Sequence, residues 1–74
     1  MGLHQSGTLT AMEHLALRLS ATGMTTAEVA DHLGIDPAEA RRHVAGAVAA
    51  LGARSKLEAV VLAVRWGLFD LPAP

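Results

Sequence analysis

The stretch TTAEVADHLGIDPAEARRHVAGAVAALG, Thr25 to Gly52, decides the fold. Thr25 reads as a helix cap. Glu28, three residues on, can return a bond to the cap's own N–H, which makes a reciprocal capping box. Val29, Ala30 and Leu33 follow at helical spacing. Gly34 can take the left-handed conformation that ends a helix without a Cβ clash. After Ile35, which is placed to plug the turn, Asp36 caps again, with Glu39 three positions later. Pro37 falls on the first helical position, where its missing N–H costs nothing. Ala40, Val44, Ala47, Val48 and Leu51 then recur on one side, and Gly52 closes the segment. Two helices joined through Gly34-Ile35-Asp36 have the spacing of a helix-turn-helix. That motif reads DNA far more often than it does chemistry.

The same punctuation extends outward. Thr10 with Glu13 opens a segment that Gly23 closes, and Ser55 with Glu58 opens one that Gly67 closes. The pattern predicts an all-α domain of four helices, over about residues 11–22, 26–33, 37–51 and 56–66. The first should bury Ala16, Leu17, Ser20 and Met12, with Leu15 and Leu19 widening the stripe. Arg41, Arg42, Ala45 and Ala49 fall away from the inner side of the third. The fourth is apolar on nearly every side, with only Lys56, Glu58 and Arg65 polar. A domain this small cannot bury such a helix all round, so one stripe should face the core and another a second molecule. Residues 1–8 read as a flexible N-terminal arm, 9–69 as the domain, and 70–74, with Pro72 and Pro74, as a loose tail.

Composition narrows the function classes. Seventy-four residues allow one domain with a thin core, which oligomerisation would help. No cysteine is present, so a disulfide framework and a Cys-ligated zinc are excluded. No apolar run has the length of a membrane span, and the N-terminus lacks the pattern of a signal peptide. Met1-Gly2-Leu3-His4-Gln5-Ser6 fits the degenerate myristoylation pattern, but a polar lead-in is the preferred reading. His4, His14, His32 and His43 are scattered, with no ligand spacing, and His43 is expected at the core edge with one nitrogen hydrogen-bonded. No nucleophile triad or phosphate loop is visible, so the chain is read as a non-enzyme without metal or cofactor. The net charge is −1, but unevenly spread. Residues 1–40 carry one positive group against five negative, a balance of −4; residues 41–74 carry five against two, a balance of +3. The positive charge begins in the third helix, where a DNA reader needs it.

From residue 9 to residue 69 the chain resembles the LuxR-type (GerE-like) helix-turn-helix, a DNA-binding module of bacterial regulators. The resemblance rests on an ordered series. Leu9-Thr10 with Glu13 comes first, then Ala21-Thr22-Gly23-Met24, Glu28-Val29-Ala30 and Leu33-Gly34-Ile35. Arg41 with His43-Val44, Leu51-Gly52-Ala53-Arg54-Ser55, Glu58-Ala59-Val60 and Gly67-Leu68 complete it. Five positions depart from the family pattern. Glu39-Ala40-Arg41 stands where the family has Thr-Val-Lys, Ala50 where a basic residue is common, and Ala27 where a polar or basic one is.

The resemblance implies a cytoplasmic, nucleoid-associated bacterial transcription regulator that acts as a homodimer on double-stranded DNA. The third helix would lie in the major groove, with Arg41 and Arg42 reaching base edges or phosphates and Ala45 a thymine methyl. Thr25, Thr26, Arg54 and Lys56 would hold the phosphate backbone. Leu57, Val61, Val64, Arg65 and Leu68 on the fourth helix would form the dimer interface. The chain is expected to stand alone, without a receiver or ligand-binding domain. Glu39 repels phosphate unless a capping role turns it away, and Ala50 removes a phosphate contact. The alternative is therefore a LuxR-like interaction module with weakened DNA binding, which uses its fourth helix to bind another regulator.

Overall fold

The computed structural model describes residues 9–69. Four α-helices follow in order: α1 (Ala11–Ala21), α2 (Thr26–Leu33), α3 (Pro37–Ala50) and α4 (Lys56–Arg65). The described residues contain no strand, so the domain is all-α. The arm at 1–8, with its myristoylation pattern, and the tail at 70–74 lie outside the described residues.

Each helix begins where its cap dictates. Thr10 and Thr25 form full capping boxes: each Oγ1 accepts the N–H of Glu13 or Glu28 at 3.1 Å, and each Glu Oε1 accepts the Thr N–H at 3.0 and 2.8 Å. The other two expected boxes are incomplete. Ser55 Oγ accepts the Glu58 N–H at 3.1 Å, but Glu58 Oε1 takes the N–H of Arg54 at 2.6 Å, one residue upstream of the cap. At α3, Asp36 accepts the N–H of Ala38 at 3.2 Å, and Glu39 makes no capping bond. Ala38 is the second helical position, one of the two donors an N-cap side chain ordinarily reaches, so the missing N–H of Pro37 costs nothing.

Helix ends were expected one residue late at α1, α3 and α4. Thr22, Leu51 and Trp66 are caps rather than helical residues. Gly23, Gly34, Gly52 and Gly67 all have positive φ, between 69° and 99°. At three of them the chain reverses through paired bonds. Ile35, Ala53 and Leu68 donate to Ala30, Val48 and Ala63, while the preceding glycines donate to Asp31, Ala49 and Val64. These pairs satisfy carbonyls that would otherwise be orphaned, and they turn an apolar residue back onto the helix. At the end of α1 the Thr22 hydroxyl covers the Leu19 carbonyl at 2.7 Å.

α1 and α3 form the centre, with α2 packed on one flank and α4 on the other; α2 and α4 do not touch among the described residues. The core is accordingly double. Ala16, Leu19, Val29, Ala30 and Ala40 bury the α2 side, with Met24, Leu33, Ile35 and Val44 packed around them. Leu17, Ala47, Leu51, Ala59, Val60, Ala63 and Phe69 bury the α4 side. Leu19 is therefore core, whereas Ser20 and Met12 are half-buried and Leu15 is exposed. Leu15 lies at the outer edge of the α1 stripe, where no helix covers it.

Two long-range contacts carry no local sequence signal. His14 Nε2 lies 2.8 Å from the Leu68 carbonyl oxygen, and its ring meets Phe69 edge-on at 5.6 Å. The end of α4 is thereby tied to α1. The other contact is at Gly46, inside α3, where the Glu13 carboxylate occupies the space a Cβ would need. A glycine inside a helix costs about 1 kcal/mol relative to alanine, so its presence marks a close approach.

That geometry yields a test by urea unfolding. Gly46→Ala in a Glu13→Ala background should stabilise the domain by about 0.5–1 kcal/mol through helix propensity. In the wild-type background the gain should vanish or reverse, because Glu13 must leave the Thr10 N–H. Equal effects in both backgrounds would show that Glu13 and Gly46 are not coupled.

Candidate nucleic-acid interface

The turn between α2 and α3 spans only Gly34-Ile35-Asp36. Gly34 at φ 70° reverses the chain, and Ile35 packs into the α2-side core. With both ends of the turn bonded or buried, α3 is held at a fixed angle to α2 rather than hinged.

Ala38, Arg41, Arg42, Ala45 and Ala49 are all exposed on α3. Their spacing places them along one side of the helix, opposite buried Ala40 and Ala47. Two guanidinium groups thus project from a surface otherwise made of methyl groups. Neither Arg41 nor Arg42 has an ion-pair partner among the described residues. A smooth helix face with two long cations near its N-terminal half can approach a groove closely and still reach outward.

The neighbouring positions add further donors. Thr25 is exposed at the start of α2, and its Oγ1 serves as the acceptor for the Glu28 N–H, which leaves its hydroxyl proton available to donate. Its backbone N–H is committed to Glu28, so of the two expected donor types only the hydroxyl remains at this residue. Thr26 is half-buried at the first position of α2. Arg54 and Lys56 are exposed between α3 and α4. The Arg54 main chain is bound to Glu58, but its side chain has no carboxylate partner among the described residues. Lys56 opens α4, where the helix dipole disfavours a cation, so its charge is not there to stabilise the helix.

The family model of the bacterial regulatory proteins of the luxR family matches residues 7–63. The chain belongs to that family. No curated protein matches it. Membership places this LuxR-type domain among DNA-binding transcription regulators, a family of regulatory rather than enzymatic modules. Among the described residues there is no cavity, no cluster of three metal-ligating side chains, and no helix long and apolar enough to cross a membrane.

Two expectations for α3 need correction. Glu39 is not turned away by capping; its Oε2 lies 3.9 Å from His43 Nε2, one turn further along. His43 is half-buried at the shoulder of α3, but neither ring nitrogen is hydrogen-bonded among the described residues. On α4, Leu57, Val61 and Arg65 are exposed as expected of an outer face, and so is Leu68 just beyond its end. Leu57 keeps 74% of its surface, Trp66 53% and Val61 46%. Val64 is instead half-buried against the α4-side core, since it follows buried Val60 by one turn.

The capping assignment predicts unequal losses. Asp36→Ala should cost about 1 kcal/mol in urea or thermal unfolding. Glu39→Gln should stay within about 0.5 kcal/mol, as a surface change does. Comparable losses would mean that Glu39 caps α3 after all.

Proposed function

We propose that this LuxR-family domain is a sequence-specific transcription regulator that binds double-stranded DNA as a homodimer. The observation that carries this is the outer face of α3, where Arg41 and Arg42 project unpaired from a surface of alanine methyls. In the major groove, an arginine can grip guanine O6 and N7 with two hydrogen bonds, and Ala45 can meet a thymine methyl. Thr25, Thr26, Arg54 and Lys56 would set the register through the phosphates. Phosphate contacts supply most non-specific affinity, so the loss of a basic side chain at Ala50 should leave a shallow salt dependence.

The second copy would sit on α4. Leu57, Val61 and Arg65 form its outward stripe, with Leu68 just beyond its end and Val64 at the edge. A two-fold pairing there would give each copy one half of a roughly palindromic site. Such a regulator works in the cytoplasm, on the nucleoid.

A second reading is favoured by the near-neutral charge of −1 and by the large apolar exposure of α4. In it, the domain has kept the fold but binds another regulator through α4.

The two separate cleanly. Selection from a random DNA pool should enrich a two-fold-symmetric sequence, and an Arg41→Ala/Arg42→Ala variant should lose at least about 100-fold in affinity for it. Val61→Asp or Leu57→Asp should give a folded monomer in sedimentation and weaken DNA binding. Val64→Asp is a poorer probe, because its carboxylate would be pushed toward the core. No enrichment, with weak binding equal in wild type and the double-arginine variant, would sink the first reading and favour the second.

A further inference from the structure

The turn after α4 is held from two helices. Trp66 caps α4, and Gly67, at φ 74°, reverses the chain. The Leu68 N–H donates to the Ala63 carbonyl of α4 at 2.8 Å. The Leu68 carbonyl lies 2.8 Å from His14 Nε2 on α1, 54 positions away in sequence. A carbonyl oxygen can only accept, so Nε2 carries the proton and donates. The His14 ring also meets Phe69 edge-on at 5.6 Å, and Phe69 is buried in the α4-side core. The main chain of Leu68 is thus bonded on both sides and followed by an anchored ring, while its side chain stays 36% exposed.

We infer that His14 is a positioning residue for the proposed dimer surface: through its bond to the Leu68 carbonyl it keeps Leu68 ordered for contact with a second copy. The inference rests on the homodimer reading above. Leu57 and Val61 stand within α4, and the helix itself orders them. Leu68 lies beyond Arg65, the last helical residue, and next to a glycine, so the helix alone does not fix its main chain. A side chain that must be immobilised on association costs affinity, and one already held costs less.

The bond supplies order more than fold stability. It lies at the surface, where water can take over the Leu68 carbonyl once the imidazole is removed. The contacts of Ala59, Val60 and Ala63 with Leu17, Ala47 and Leu51 hold α4 on α1 and α3 in either case. No other donor reaches the Leu68 carbonyl among the described residues, so the restraint on this turn from outside α4 is His14 and the ring that follows it.

The test is sedimentation equilibrium of the full chain without DNA, for wild type, His14→Phe and His14→Gln, with urea unfolding of each. Phe keeps a ring against Phe69 but has no donor; Gln has no ring but carries an N–H at about the reach of Nε2. His14→Phe should fold and raise the dimer dissociation constant about three- to tenfold. His14→Gln should stay within about twofold of wild type, because the donor is restored. Trp66, the single tryptophan, stands two residues before Leu68 and reports on the turn. In a Val61→Asp background its fluorescence anisotropy should fall with His14→Phe and hold with His14→Gln. If His14→Phe does not fold, His14→Leu set against His14→Gln decides. Equal dissociation constants for wild type and His14→Phe would overturn the inference, as would equal weakening by Phe and Gln or an unchanged Trp66 anisotropy. Wild type that stays monomeric at every concentration would overturn the homodimer reading and this inference together. A dimer that Val61→Asp breaks and His14→Phe leaves intact would overturn this inference alone.

Discussion

The contact on which the structure depends is the close approach of α1 and α3. Ala16 on one helix and Ala40 and Ala47 on the other are fully buried, and Gly46 has no side chain where the Glu13 carboxylate sits. Small side chains contribute little burial each, but they let two backbones come near enough to act as one central layer. α2 and α4 each pack on that layer and not on one another. Without the central pair, neither flanking helix would have a surface to bury against.

That arrangement divides the labour of the domain. The α2 flank fixes the turn, through Gly34 and half-buried Ile35, and so fixes the angle at which α3 presents its outer face. The α4 flank uses Ala59, Val60 and Ala63 to hold on, which leaves Leu57 and Val61 directed outward. His14 tethers the far end of α4 to α1 through the Leu68 carbonyl, where Gly67 has already turned the chain. One face is therefore cationic and smooth, another apolar, and the two belong to different helices. The proposed DNA face and the proposed docking face therefore do not compete for the same surface.

Electrostatics follows the same geometry. Of the five acidic residues in 1–40, Glu13, Glu28 and Asp36 accept backbone N–H groups at helix starts. A carboxylate so used is stabilised by the helix dipole. Glu39 is the exception on α3. It makes no capping bond and lies beside His43, one turn along the helix.

The start of every helix was legible in the sequence, because caps, Pro37 and turn glycines act within four residues of where they stand. The exposed row Arg41, Arg42, Ala45 and Ala49 was legible for the same reason: helical period alone puts it opposite Ala40 and Ala47. Periodicity could not decide which Glu completes a capping box. Glu13 and Glu28 do, whereas Glu58 reaches Arg54 and Glu39 lies beside His43. Nor could it assign Val64 to the core side, or join His14 to Leu68 across 54 positions of sequence. Local rules govern hydrogen bonds along a single helix. The partners of His14, Gly46 and Val64 depend on how the helices pack, and only the tertiary structure sets that.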